Sequence, residues 1–469
     1  MVEKIRNNPY EYLMPRLEGS LLAKSPAPYL ELVKKGVCGF ILFDGELEEV
    51  REGISLLQEA GMREAGFPLL IASDLERGLG QQVRGGTVFP PAMAFGQAYL
   101  NGFDELKIRK AFNAIAVEAL WAGINLIFAP VLDVNSNPLN PIIATRAFGE
   151  DTGTVSGLGV MMIEEFQGRG VMACGKHFPG HGDTHLDSHL TLPSVDKQLG
   201  ELHNFELLPF KEAVNAGVKS LMFAHLSVPA IEPSAIPVSL SKNAVKLARE
   251  GLGFKGLIFT DAMNMGGINI KEQEAAAMAL KAGVDVLLHP SSPDEMAKHL
   301  SSIELPEPVL LRRIRHELTE TKRRTGPPDF RMHEALAQEI AFAAIRYEGS
   351  QKSLGKSPVV IILSDDPEAL SPFVKEAASA LPGLPVLVNP EPQDMPRNKE
   401  TLAVIHSVPR AWRPPPEQLK RKIEAASELG PLWLSFGNPY AIHNEKNKIL
   451  AYSDSEAVQR EMARRVLRA

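Results

Sequence analysis

The sequence predicts an α/β chain: a TIM-type (β/α)8 barrel followed by a smaller, sandwich-like α/β domain. Three observations carry this. Short apolar runs recur along the N-terminal part, each followed by a polar or glycine-rich stretch and then a helical pattern. The runs are too short and too uniformly apolar for half-exposed antiparallel strands. A charged, proline-rich stretch at 322–331 (KRRTGPPDFR) then interrupts the alternation, and a shorter α/β pattern follows it.

Taken in order, the runs at 37–43, 69–73, 126–132, 171–174, 220–224, 257–259 and 284–288 give seven buried strands. The first barrel strand is placed near 12–17, where the pattern is weak. Segments 104–122, 154–169 and 204–216 are long enough for crossover helices. The barrel is expected to occupy 1–325. Beyond the break, a helix is read at 333–346 and strands at 359–363, 402–406 and 432–435, which gives a second domain over 326–469. Stretches 390–397 and 414–416 have the proline content of surface loops.

A chain of 469 residues, 44% of them hydrophobic, suits two domains with a large core. The formal charge of −7 and the lack of a basic, aromatic-laced patch argue against a nucleic-acid partner. Two cysteines, Cys38 and Cys174, lie in apolar stretches and are expected as buried free thiols. No run of 18 apolar residues occurs, and the first residues lack a long apolar segment, so a cytoplasmic protein without a membrane partner is expected.

The chemistry concentrates in 176–193, KHFPGHGDTHLDSHLTLP, which holds four of the twelve histidines. Its proline and glycines exclude a regular helix, so it reads as a loop at the end of the 171–174 strand. Loops at strand ends are where α/β enzymes place reactive groups. Asp187 and His189 are two apart and share a face on extended backbone. A carboxylate beside an imidazole sets its tautomer and raises its basicity, which suits a general acid/base. Taken alone, the pair favours a structural loop histidine bonded to its neighbour. Asp261 ends the strand at 257–259 (LIFTDAMNM), where both a nucleophile and a helix N-cap belong. Asp74 and Asp133 occupy similar strand ends, as do Lys176, His177 and His225.

These blocks together resemble the bacterial β-N-acetylhexosaminidases of glycoside hydrolase family 3. The resemblance covers about 37–290 and rests on KHFPGHG with its D-S-H triplet, FAPVLDVNSNPLNPIIATRAFGED, LMFAHLSVPAIEPSAIPVSLS and LIFTDAMNM. It implies a retaining exo-enzyme that removes N-acetylglucosamine. Asp261 would be the nucleophile and His189 the acid/base, oriented by Asp187. Asp74, Arg146, Lys176 and His177 would bind the sugar, with Asp133 and His225 in the same pocket. Family members read D-Q-E-G-G-R-V-x-R where this chain has DLERGLGQQVR, so Arg84, or Arg77 in its place, is the remaining sugar contact. The resemblance further implies cytoplasmic recycling of muropeptides. No cofactor and no metal are implied, and the partners expected are a small oligosaccharide or muropeptide and at most a second copy of the chain.

Three other functions fit parts of the pattern. His185, Asp187 and His189 alternate as metal ligands do, with His177 and His181 nearby, which fits a metal-dependent hydrolase. A non-catalytic sugar-binding protein would share the fold. A histidine acid/base, which does not repel phosphate, is also compatible with phosphorolysis.

Overall fold

The structure, a computed structural model, describes residues 8–184, 192–268, 270–320, 326–350, 354, 357–407 and 417–467. It divides into two compact units. The first comprises Met1–Val88, Arg109–Asn137 and Glu150–His333, and the second Phe89–Ile108, Pro138–Gly149 and Glu334–Ala469. Two segments that precede the 322–331 break thus group with the C-terminal residues.

The strands of the first unit are β1 (Leu13–Met14), β2 (Arg16–Glu18), β3 (Gly39–Phe43), β4 (Leu70–Ser73), β5 (Leu126–Ile127), β6 (Met172–Phe178), β7 (Ser220–Phe223), β8 (Leu257–Thr260) and β9 (Leu287–Leu288). Strands β2 to β8 form one parallel sheet in chain order, and β1 pairs in parallel with β9. A bridge from Phe259 to Val286 joins β8 to the approach of β9. Strands β4, β6, β7 and β8 are buried along their whole length, as parallel strands covered on both faces must be. One core cluster takes Met14, Ile41, Ala72, Leu126, Cys174, Met222, Phe259 and Leu288, from strands at both ends of the sheet and its middle. A flat sheet cannot bring those side chains together, so this one is curled.

Local chemistry explains where the elements depart from the apolar runs. Pro15 has no N–H to donate, and it splits the first strand into β1 and β2. Cys38 N and Ile41 N nevertheless donate to Leu13 O and Pro15 O, so both pieces line up along β3. Pro130 likewise ends β5 early, although Leu132 N still reaches Lys176 O at 2.6 Å. Strand β6 runs further than expected, to Phe178. The helix expected over 204–216 is two, Leu199–Asn204 and Leu208–Asn215, the second with proline in its first turn.

The second unit holds a six-stranded sheet: β10 (Arg346–Glu348), β11 (Val359–Ser364), β12 (Val386–Val388), β13 (Thr401–Ser407), β14 (Leu432–Gly437) and β15 (Lys448–Leu450). Its order is β10-β15-β14-β13-β11-β12, and only β10 is antiparallel to its neighbour. The long central strands β11, β13 and β14 are those legible in the sequence. The three-residue strands are not. Stretch 414–416 lies outside the described residues. Among the described residues no helix is long and apolar enough to cross a membrane.

Gly39 opens β3 opposite Leu70, and a Cβ there would lie 1.9 Å from Leu70 O. Neither backbone can move without breaking the ladder, so Gly39→Ala should cost about 3 kcal/mol and lower Tm by several degrees. Gly157→Ala is the control. It sits in the helix Thr152–Gly168 with open space around it. It should raise stability by about 0.5–1 kcal/mol in the same thermal melts.

Candidate active site

The charged side chains gather at the C-terminal ends of β4, β6 and β8. Lys176 lies within β6, and its side chain is only 2% exposed. A buried ammonium must be paired. Its Nζ stands 2.6 Å from Asp74 Oδ1 and 2.7 Å from Glu76 Oε1, both on the loop after β4. Asp74 keeps a more exposed side chain, 28% against 9% for Glu76. Asp74 therefore faces the open side and Glu76 the interior. Glu76 was not singled out in the sequence. The signal for it was the third-position acid that DLE shares with the family's D-Q-E.

His177 and His181 share one carboxylate. Asp133, wholly buried, accepts the His177 N–H at 3.2 Å, the His177 Nδ1–H at 2.7 Å and the His181 N–H at 2.7 Å. Burial alone would raise the Asp133 pKa. The two histidines and the His181 amide outweigh it and hold the carboxyl below its usual range. Asp133 thus stands behind His177, fixing the proton on Nδ1. The His181 Nδ1–H donates to Thr184 Oγ1 at 2.8 Å, and the Thr184 hydroxyl donates to His181 O. Burial pushes the His181 ring down to about 4, so it is neutral near pH 7.

The loop backbone is tightly specified. A Cβ at Gly182 would lie 1.7 Å from Val134 O, and Gly180 has φ 131°. After the turn, Lys197 joins Asp183 at 2.9 Å and also pairs with Glu206. Asp187 and His189, with His185, lie outside the described residues. Among the described residues no group of three or more His, Cys, Asp or Glu side chains is arranged to hold a metal ion.

Asp261 follows the last residue of β8 and is half-buried. It caps no helix, because the next one is Glu272–Ala282 with Lys271 at its N-cap. Its N–H donates to Phe223 O at 2.9 Å, and its Oδ1 accepts the Ala262 N–H at 2.8 Å. Burial raises the Cys174 thiol to about 12, the Ser220 hydrogen bond and Lys176 oppose that, and Asp74 and Asp261 reinforce it. Asp261 also acts on His181. The groups from β4, β6 and β8 stand at the same end of one parallel sheet, with Lys176 of β6 bonded to Asp74 beyond β4.

The remaining expected residues lie as follows. His225 is wholly buried, with Nδ1 at 2.7 Å from Ser239 Oγ and Nε2 at 3.1 Å from Ala262 O. The Arg84 side chain is 70% exposed and pairs with Glu46 at 2.5 Å. The Arg77 amide donates to Gln81 Oε1. Arg146 ends the short turn Ala144–Arg146 of the second unit and donates to Ile142 O. His289, after β9, was not foreseen. It has φ 48°, and its ring meets the edge of Phe43. Burial lowers its pKa, Arg16 lowers it further, and Glu272 and Asp74 oppose.

Residues 20–319 match the N-terminal domain of glycosyl hydrolase family 3. The chain belongs to that family. It is 36% identical over 286 residues to β-hexosaminidase A of Pseudoalteromonas piscicida, a match covering 56% of this chain and 48% of that protein. The chain thus spans about half the length of that relative. It is 32% identical over 329 residues to a β-hexosaminidase of Chromobacterium violaceum, covering 67% of this chain and 90% of that one. It is similar throughout to a solved family 3 β-N-acetylglucosaminidase from Paenibacillus sp. str. FPU-7, with TM-score 0.80 and 28% identity over 98% of this chain and 96% of that one. The β-N-acetylhexosaminidase resemblance seen in the sequence is borne out, and the chain is a glycoside hydrolase of this family.

The buried His181 makes stability fall on the acid side. Its folded pKa, about 4, lies below the ordinary imidazole value of 6.5 that the unfolded chain keeps. As pH drops through 6.5 the unfolded state takes up the proton first, so stability is lost progressively down to about 4. This one group should cost about 2 kcal/mol between pH 7 and pH 5. Chemical denaturation at the two pH values should therefore show a smaller acid loss for His181→Asn than for the wild type.

Proposed function

We propose that the chain is a retaining exo-glycosidase that hydrolyses terminal non-reducing β-linked N-acetylglucosamine through a covalent glycosyl-enzyme on Asp261. The observation that carries this is the placement of Asp261. It is a carboxylate fixed by backbone at the end of β8, capping no helix, on the parallel sheet whose strands β4 and β6 lead to Asp74 and carry Lys176. The curated relatives are named as β-hexosaminidases, and the solved relative is named as a β-N-acetylglucosaminidase, which supports this sugar. The curled sheet is taken as a closed (β/α)8 barrel, with β1 and β2 as one strand and β9 completing the ring. The six-stranded sheet of the second unit is taken as a C-terminal α/β domain.

In the first step a carboxylate oxygen of Asp261 attacks the anomeric carbon. The His189 ring, oriented by Asp187, gives its proton to the departing oxygen. In the second step the same ring takes a proton from water. The water oxygen then bonds to the anomeric carbon and Asp261 leaves. This places the acid/base on a histidine where most retaining glycosidases use a second carboxylate. Lys176 favours the ionised nucleophile. Asp74, Lys176 and His177 bind the sugar hydroxyls, and Asp133 acts on the substrate through His177. The natural substrate is a muropeptide bearing N-acetylglucosamine at its non-reducing end, met during cell-wall recycling in the cytoplasm.

Release of 4-nitrophenol from 4-nitrophenyl N-acetyl-β-D-glucosaminide tests the two roles. Asp261→Asn should abolish turnover, and wild-type rates in that variant would remove the nucleophile. His189→Ala should lose about 10²–10⁴-fold on substrates with poor leaving groups. It should lose far less on a 2,4-dinitrophenyl substrate, which needs little protonation. An equal loss on both would contradict the acid role.

A further inference from the structure

We infer that His225 is a positioning residue for the Asp261 nucleophile, holding it through the backbone of Ala262 rather than touching the sugar. This inference rests on the proposed role of Asp261. The sequence alone put His225 among the sugar contacts. The structure instead places it at 0% exposure, with both ring nitrogens directed at protein atoms. Ala262 O is only an acceptor, so the ring must carry its proton on Nε2. In the neutral ring, Nδ1 then accepts the Ser239 hydroxyl at 2.7 Å. One proton arrangement thus satisfies both contacts.

The segment that carries the nucleophile is held residue by residue. The Asp261 N–H donates to Phe223 O at 2.9 Å, on β7. Ala262 O accepts from His225 at 3.1 Å. The Met263 N–H donates to Leu288 O at 2.8 Å, on β9. Two of the three ties are backbone to backbone and come with the sheet. His225 supplies the third and is the one a substitution can remove. Ala262 matters because its N–H holds Asp261 Oδ1 at 2.8 Å, which sets the carboxylate's rotation.

The ring has its own support. Ser239 lies in the short turn Val238–Leu240. Val238 N donates to Leu226 O, which closes the loop after β7 back onto its start. Glu232 gathers the far side of that loop, accepting from Ser234, Ser241 and Asn243. The block LSVPAIEPSAIPVSLS thus reads as a frame whose output is one imidazole behind the nucleophile.

A positioning residue and a sugar contact differ in what they disturb. Displacing a nucleophile by about 1 Å costs on the order of 10²-fold in rate while the ground-state complex is untouched. The test uses the full chain with His225→Ala, His225→Gln and Ser239→Ala. It measures kcat/KM on aryl N-acetyl-β-D-glucosaminides of graded leaving-group ability, and Ki for N-acetylglucosamine. His225→Ala should lose on the order of 10²-fold, evenly across the leaving groups, with Ki within about twofold of wild type. The amide of His225→Gln donates where Nε2 does and should restore most of that loss. Ser239→Ala should show the same pattern more weakly. If His225→Ala does not fold, the other two variants carry the test. A Ki that rises with the loss would make His225 a sugar contact. A loss that grows with poorer leaving groups would tie it to proton delivery, and no loss would leave it without a role. Each of these overturns the inference alone. Activity surviving in Asp261→Asn, assayed alongside, would overturn the nucleophile and this inference together.

Discussion

Lys176 keeps a 2% exposed side chain, and its ammonium lies between the carboxylates of Asp74 and Glu76. An unpaired charge so deep would cost several kcal/mol, and removing one partner of such a pair typically costs 3–5 kcal/mol. The strand β6 and the loop after β4 are therefore obliged to meet. That obligation sets the rest of the site. With Lys176 fixed, the next residue directs its ring at Asp133, and the chain then turns through Gly180 and Gly182, where a side chain at either position would be refused.

The pairing also divides the labour between the two acids. Glu76 is the more buried and completes the neutralisation of Lys176 from within. Asp74 shares the same ammonium yet remains more exposed, so it can turn toward a hydroxyl without leaving the charge unpaired. A polar set that is oriented before substrate arrives gives the largest electrostatic return, because it need not reorganise during the reaction. Asp261 stands apart from this arrangement in one respect. Main-chain groups of its neighbours orient it: its N–H donates to Phe223 O, and its Oδ1 accepts the Ala262 N–H.

Much of this was legible in the sequence for a physical reason. Parallel strands covered on both faces must be apolar along their length, so the runs ending at Ser73, Leu132 and Phe259 stood out, and with them Asp74, Asp133 and Asp261 beyond their ends. The first strand was weak because Pro15 breaks its ladder and because Arg16 and Glu18 turn out to water. Strands β10 and β12 were missed because three residues, partly exposed, carry no pattern. In the site, Asp74, Lys176, His177 and Asp261 announced themselves by position. Glu76 did not, because its partner is distant in the chain and only the folded sheet brings the two together. Arg84 looked like a sugar ligand by motif, yet its guanidinium pairs with Glu46, a choice that local sequence does not encode. His225 and Asp133 are both fully buried, a depth that a place at a strand end does not reveal in the sequence.

The covalent intermediate is the claim on which the chemistry turns. Incubating the enzyme with a 5-fluoro N-acetylglucosaminyl fluoride should slow the second step more than the first and let the adduct accumulate. Intact mass should then rise by one fluorinated amino-sugar unit, and peptide mapping should place the label on Asp261. A label on any other side chain, or turnover without any adduct together with release of the inverted anomer from natural substrate, would contradict it.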